Sequence, residues 1–216
     1  MEELETKTKK FDKKSGKEFD KIANAIFAPV YPVIAKQIID NCKINDGVCI
    51  DLGSGPGHLA IAVAKLSNLI VYGIDFSEDI LAIAEDNINA HNLSGRVKPV
   101  YGDVNALPFE NNFADLIISR GSLFFWQNIE KAFKEIYRIL KPGGKTYIGG
   151  GFGSEALRLK VDEEMKKIDE NWKCAAKKKL GRLNTEKVPL VLDSMGIQNY
   201  KIINDESGMW VNIAKY

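Results

Sequence analysis

Val48-Cys49-Ile50-Asp51-Leu52-Gly53-Ser54-Gly55-Pro56-Gly57 decides the reading of this chain. A short apolar run ends in an acid, glycines follow at alternate positions, and His58–Leu66 then carries apolar residues at helical spacing. Glycine lets a backbone come close to a ligand, and the first turn of a helix presents N–H groups without partners inside it. A loop of this kind at a strand's carboxyl end is where open α/β sheets bind ligands. Its spacing narrows the choice of ligand. A dinucleotide fingerprint counted from Gly53 needs glycine at the position held by His58, and the G-x-x-x-x-G-K of a P-loop is absent. An acid two residues ahead of Gly53 suits a ligand with a positive end better than a pyrophosphate.

Outward from the loop, strands and helices alternate. Gly47–Asp51, Leu69–Asp75, Val97–Tyr101, Ala114–Ser119 and Lys145–Gly149 read as strands. Asp79–His91 reads as a helix with Ser77 as its N-cap, and Ile129–Leu140 as a helix closed by Lys141-Pro142-Gly143-Gly144. Strands apolar on both faces, in this rhythm, predict a mainly parallel sheet covered by helices on both sides. After Gly153 the pattern changes to a long amphipathic helix over Glu155–Trp172, a basic stretch over Lys173–Arg182 and a short helix over Thr185–Ser194. Ile197–Asn204 and Met209–Ala214, joined by Asp205–Gly208, predict an antiparallel hairpin, the sixth and seventh strands. Ahead of the loop, the chain is polar and Lys-rich to about Lys21 and is expected to be mobile at its tip. Ile22–Cys42 then predicts two helices with a kink or turn around Ala28–Pro32.

Composition bounds the class. The chain has 216 residues, 45% hydrophobic and 27% charged, which predicts a soluble, single globular domain and excludes disorder throughout. No run approaches the length of a membrane-spanning helix, and the charged first residues lack a secretory signal, so a cytoplasmic protein is expected. Cys42, Cys49 and Cys174 are too scattered for a disulfide framework, a metal site or an iron–sulfur cluster. Net charge is +1, but Asp51–Asp115 holds nine acids against three bases, and Arg158–Lys187 ten bases against six acids. The first stretch favours a cationic ligand and the second an anionic one, with solvated helix faces as the plain alternative.

The sequence resembles the class I S-adenosylmethionine-dependent methyltransferases. The likeness rests on the acid-x-G-x-G-x-G loop from Asp51, on Asp75 at the end of the second strand, and on Gly102-Asp103-Val104 after the third, followed by Leu107-Pro108-Phe109. It continues through Asp115–Ser119 and Leu140-Lys141-Pro142-Gly143-Gly144, so that ordered elements cover about residues 47 to 150. The resemblance implies an α/β, Rossmann-like, doubly wound and mainly parallel seven-stranded sheet ending in the C-terminal antiparallel hairpin. It implies an N-terminal helical lid over residues 1–42 on a methyltransferase domain over 43–216.

It also implies S-adenosyl-L-methionine as cofactor. Asp51 and the loop of Gly53, Ser54, Gly55 and Gly57 would hold the methionine end. Asp75 would take both ribose hydroxyls, since a carboxylate offers two acceptor oxygens. Asp103, with Gly102 and the Val104 backbone, would meet the adenine amino group, and Phe76 and Leu107 would flank the ring. Ser119 and Arg120 would face the sulfonium. The substrate pocket would draw on Phe27 and Tyr31 of the lid, on Phe125 and Trp126 after the fourth strand, and on Gly151 within the glycine run Gly149–Gly153.

The expected activity is transfer of a methyl group to a small molecule, closest in look to the enzymes of quinone biosynthesis. Ser119-Arg120-Gly121-Ser122 stands where amide and adenine methyltransferases carry an Asn/Asp-Pro-Pro-aromatic tetrapeptide, and no Pro-Cys nucleophile occurs. Methylation of RNA through the basic segment 173–187, and a non-catalytic cofactor-binding subunit, are the competing readings. No metal is expected. The only histidines, His58 and His91, do not mark a general base, and no pattern sets the oligomeric state.

Overall fold

A computed structural model describes residues 13–172 and 187–216. Its seven strands are β1 (Val48–Leu52), β2 (Ile70–Asp75), β3 (Val97–Tyr101), β4 (Ala114–Arg120), β5 (Leu140–Gly151), β6 (Tyr200–Asp205) and β7 (Gly208–Ile213). They form one sheet in the order β3-β2-β1-β4-β5-β7-β6. The first five strands run parallel, and β7 lies antiparallel to both β5 and β6. This is the expected Rossmann-like class. Strand order reverses between β1 and β4, and the crevice beyond their carboxyl ends is the ligand position of such sheets.

Side chains alternate across each strand, so each strand feeds both cores. Cys49, Val71, Leu116, Ile118 and Tyr147 pack against α2 (Val30–Cys42), α3 (His58–Leu66), α4 (Glu78–Ala90) and α6 (Glu155–Lys166). Ile50, Ile74, Ile117, Ile148 and Val211 pack on the opposite face against α5 (Ile129–Ile139) and α7 (Lys187–Ser194). Ser77 caps α4 as its spacing predicts, accepting from the Ile80 N–H.

The largest departures of the structure from the sequence-based boundaries are three. A helix, α1 (Lys13–Ile22), occupies part of the polar, Lys-rich stretch in which the sequence predicts no element, while the tip expected to be mobile lies outside the described residues. A Cβ on its Gly16 would come within 3.1 Å of Ile83 and 3.2 Å of Ile80, so the missing side chain lets α1 dock on α4. The chain continues as a π-helix over Ala23–Phe27, and the segments Lys14–Phe27 and Val30–Cys42 meet at 77°, within the kink expected around Ala28–Pro32. Second, β5 starts at Leu140 rather than Lys145. The Gly143 N–H donates to the Lys215 carbonyl at 2.7 Å and the Lys215 N–H to the Gly144 carbonyl at 3.0 Å, drawing the Pro-Gly-Gly segment alongside the end of the chain. Third, α6 stops at Lys166, and the Trp172 indole folds back to donate to Asp162 Oδ1 at 3.1 Å.

No single helix among the described residues is long and apolar enough to cross a membrane. The basic segment 173–187 lies, apart from Lys187, outside the described residues, as do Cys174 and residues 1–12 of the expected lid.

Candidate functional site

Parallel pairing puts the ends of β1, β2 and β3 side by side, and each ends at or runs into an acid. Asp51 pairs with Gly73 in the register of β1 and β2, Asp75 with Tyr101 in that of β2 and β3, and Asp103 follows two residues on. The three expected carboxylates therefore share one edge of the sheet, beside the glycine loop.

Asp51 is 1% exposed, and its Oδ2 has no hydrogen-bond partner among the described residues. Burial, and then the like charge of Asp75, push its carboxyl up to about 8, against the pull of the Ala60 N–H in the first turn of α3. A buried acid with an empty acceptor site fits a cationic group such as an ammonium. Asp75 is half-buried. Its Oδ2 accepts from the Gly55 N–H and its Oδ1 from the Ser77 N–H, both at 3.1 Å. The Phe76 N–H also draws on this carboxylate, whose two acceptor oxygens suit a pair of hydroxyl donors. Burial raises the Asp75 carboxyl above its ordinary value, and those N–H groups offset part of the rise. Asp103 is exposed, with Oδ1 accepting from the Asn105 backbone and side-chain N–H groups at 2.8 and 2.9 Å. The Gly102 N–H is bound to the Asp75 carbonyl at 3.0 Å, Val104 is half-buried, and Phe76 is 44% exposed beside them. Leu107 is 5% exposed and belongs to the core with Ile74 and Ile117.

The loop glycines have separate reasons. Gly53 is left-handed (φ +64°), and a Cβ on it would lie 2.3 Å from the Cβ of Ser122, so it admits the loop after β4. Gly57 is left-handed at φ +83° and starts α3. Gly55 is covered by Phe19 of α1, whose ring edge lies 3.6 Å from the Cβ it lacks. The Ser54 hydroxyl is buried over Gly73 without a hydrogen-bond partner among the described residues, a second open polar atom at this edge.

Beyond β1, Ser122 ties the far side together. Its hydroxyl donates to the Leu52 carbonyl at 2.8 Å, lies 2.6 Å from the Ser119 hydroxyl, and accepts from the Trp126 indole at 3.1 Å. Trp126 meets Phe133 of α5 edge-on, and Phe125 is 60% exposed. Phe27, Tyr31 and Phe152 surround Arg120, with their ring centres 5.2, 5.4 and 5.8 Å from its guanidinium carbon. Arg120 Nε donates to the Gly151 carbonyl at 3.0 Å. Of the five expected pocket residues, Phe27, Tyr31 and Gly151 thus converge on Arg120, whereas Trp126 turns toward α5. The glycine run does not lie open to a ligand throughout: a Cβ on Gly151 would meet the Ser207 carbonyl at 2.1 Å and one on Gly149 the Met209 carbonyl at 1.9 Å.

Sequence reading missed Asp20. Its Oδ1 lies 2.8 Å from His58 Nε2 and accepts from the Asn87 amide at 2.9 Å, while Asn87 also donates to the Pro56 carbonyl at 3.0 Å. This joins α1 to the glycine loop and to α4. Burial lowers His58 below its ordinary value, against Asp20, and its ring lies 5.2 Å from that of Tyr31. One polar residue in a charged helix carries no signal for such a contact. Among the described residues, no group of three or more His, Cys, Asp or Glu is placed to hold a metal ion.

A family model described as a methyltransferase domain matches residues 50–148, from β1 into β5. A solved structure from Methanococcus maripaludis, described as a proposed S-adenosyl-L-methionine-dependent methyltransferase, is 50% identical and superimposes with a TM-score of 0.92, covering 96% of this chain and 94% of that one. Phosphoethanolamine N-methyltransferase 2 of Caenorhabditis elegans is 38% identical over 52% of this chain and 26% of its own length. A demethylmenaquinone methyltransferase of Staphylococcus aureus is 33% identical over 59% of this chain and 53% of its own. The aligned part thus spans about a quarter to about half the length of these curated relatives.

Proposed function

On the premise that this chain belongs to the S-adenosyl-L-methionine-dependent methyltransferases, with S-adenosyl-L-methionine as its cofactor, we propose that it methylates a small-molecule acceptor by in-line displacement. The observation that carries this reading is the row of Asp51, Asp75 and Asp103 at adjacent strand ends, with the Asp51 Oδ2 buried and unpartnered.

When bound, the cofactor supplies a methyl group on a positively charged sulfur that leaves as a neutral thioether. The chain's part is to bind, orient and exclude water. Asp51 accepts from the ammonium, and the loop from Gly53 to Gly57 seats the methionine end. Asp75 accepts from the ribose hydroxyls. Asp103 meets the adenine amino group beside Val104, and Phe76 lies along the ring. Ser119 would face the sulfonium, and Arg120, held by the Gly151 carbonyl, would stand on the acceptor's side of it. Holding the two reactants in line is worth roughly 7–11 kcal/mol in well-oriented systems, enough for catalysis without a covalent intermediate.

We assign α1 and α2 as the lid. In support, Phe19 covers Gly55, Asp20 reaches His58 and Asn87, and Phe27 and Tyr31 close over Arg120. The acceptor class rests on the named activities of the curated relatives, whose acceptors are small molecules.

Calorimetric titration with S-adenosyl-L-methionine tests the reading. Saturable binding is expected, weakened at least about tenfold in Asp75→Ala, which loses hydrogen bonds to a charged acceptor. No heat at millimolar cofactor refutes the reading, and unchanged affinity in the variant refutes the ribose assignment.

A further inference from the structure

Arg120 is a cation without a counterion among the described residues. No carboxylate of the described residues lies within ion-pair distance of it, and its only hydrogen bond among them is from Nε to the Gly151 carbonyl. Its terminal nitrogens, with four N–H groups, have no hydrogen-bond partners among the described residues, yet three aromatic rings wall the guanidinium. Aromatic faces attract a guanidinium but accept no hydrogen bonds in its plane, so the fork remains available to a planar anion. The Tyr31 hydroxyl beside it also makes no hydrogen bond among the described residues, and burial raises it above its ordinary value, so it stays a protonated donor.

Position separates this cation from the cofactor's grip. The three carboxylates stand at the ends of β1, β2 and β3, whereas β4 and β5 lie on the other side of β1. Arg120 leaves the end of β4 and is fastened to the last residue of β5, away from the sugar and base positions. Asp51, expected to meet the ammonium, has its carboxyl raised by Asp75 and not lowered by Arg120.

We propose that Arg120, with Tyr31 beside it, binds an anionic group of the methyl acceptor, a carboxylate or a phosphate, so that the acceptor is an organic anion. This rests on the methyltransferase reading and extends it to substrate class. Bidentate pairing inside an aromatic wall would fix the acceptor's orientation as well as its charge.

The test uses the full chain labelled with 15N and saturated with S-adenosylhomocysteine, so that the cofactor's carboxylate position is filled. Inorganic phosphate and acetate are titrated separately at constant ionic strength, with chloride as control, following the Arg120 Nε–H resonance in the parent and the backbone amide resonance of the neighbouring Gly121 in parent and variants alike. A saturable shift with one of the two anions is expected, and the responding anion identifies the acceptor's group. The shift should vanish in Arg120→Gln, whose affinity for S-adenosylhomocysteine stays within about threefold of the parent. Absence of a saturable shift overturns the proposal. So does a tenfold or larger loss of S-adenosylhomocysteine affinity in the variant, which would place Arg120 on the cofactor's own carboxylate. Should Arg120→Gln not fold, Arg120→Lys replaces it: the charge stays, the fork is lost, and anion affinity should fall at least threefold with cofactor affinity unchanged. Failure of S-adenosylhomocysteine to bind the parent protein would instead overturn the methyltransferase reading.

Discussion

Replacing Asp51 by asparagine is expected to make the cofactor-free protein more stable above pH 8 while weakening its hold on the cofactor about tenfold to a hundredfold. Both effects have one cause. The Asp51 carboxyl is 1% exposed and one of its oxygens is unpartnered, so its charge is unwelcome until a cation arrives. Burial and the Asp75 charge raise it from the ordinary 3.8 to about 8. The folded state therefore holds a proton that the unfolded state has already released between those values. Stability contributed by the protonated acid is fully present below about pH 4 and is lost as pH rises through about 8. Asparagine keeps the shape and never ionises. Half of that interval is worth roughly 3 kcal/mol at 1.36 kcal/mol per pH unit. At about 2–4 °C per kcal/mol for a chain of this size, Tm at pH 9 should rise by about 5 °C or more. At pH 4 the two proteins should melt together. The loss of affinity follows because a hydrogen bond to a charged group contributes about 1.5–3 kcal/mol, and the variant forfeits the charge opposite the ammonium. Melting curves at both pH values, with cofactor titrations, check both halves; parallel melting of the two proteins from pH 4 to 9 would contradict the electrostatic account.

Gly149→Ala should produce the largest loss of stability. A Cβ there would lie 1.9 Å from the Met209 carbonyl oxygen, 2.9 Å from its carbon and 3.0 Å from the Trp210 Cα, all backbone atoms of β7. No rotamer relieves such a contact, so β5 and β7 must separate. They separate where Tyr147 and Trp210, both buried, pack with ring centres 4.6 Å apart. Overpacking of a core commonly costs about 1–3 kcal/mol, and a backbone collision belongs at or above the upper end. Tm should fall by about 6 °C or more. Gly95→Ala is the control, because nothing lies within 4 Å of its added carbon. Equal melting of the two variants would show that the antiparallel pair yields easily.

The contrast between these residues shows what was legible in the sequence. Asp51 and Asp75 could be read because a buried strand ending in an acid before a turn is a pattern along the chain. The parallel core could be read for the same reason, through strands such as Leu116-Ile117-Ile118 that are apolar on both faces. The glycine run at 149–151 was legible as unusual but not in purpose. At Gly149 and Gly151 its space serves β7 and the turn before it, more than fifty residues later in the chain, and at Gly150 it serves the Phe124 ring. Docking of α1 through Gly16, the Asp20 link to the glycine loop and the aromatic wall around Arg120 are contacts between distant segments made by otherwise ordinary residues. No local periodicity encodes such contacts.

A crystal structure with S-adenosylhomocysteine bound tests the central claim most directly. The account predicts the amine of the ligand on Asp51 Oδ2, both ribose hydroxyls on Asp75 and the adenine amino group beside Asp103. A ligand seated at the same sheet edge with its sugar turned away from Asp75, or lodged elsewhere in the molecule, would contradict it.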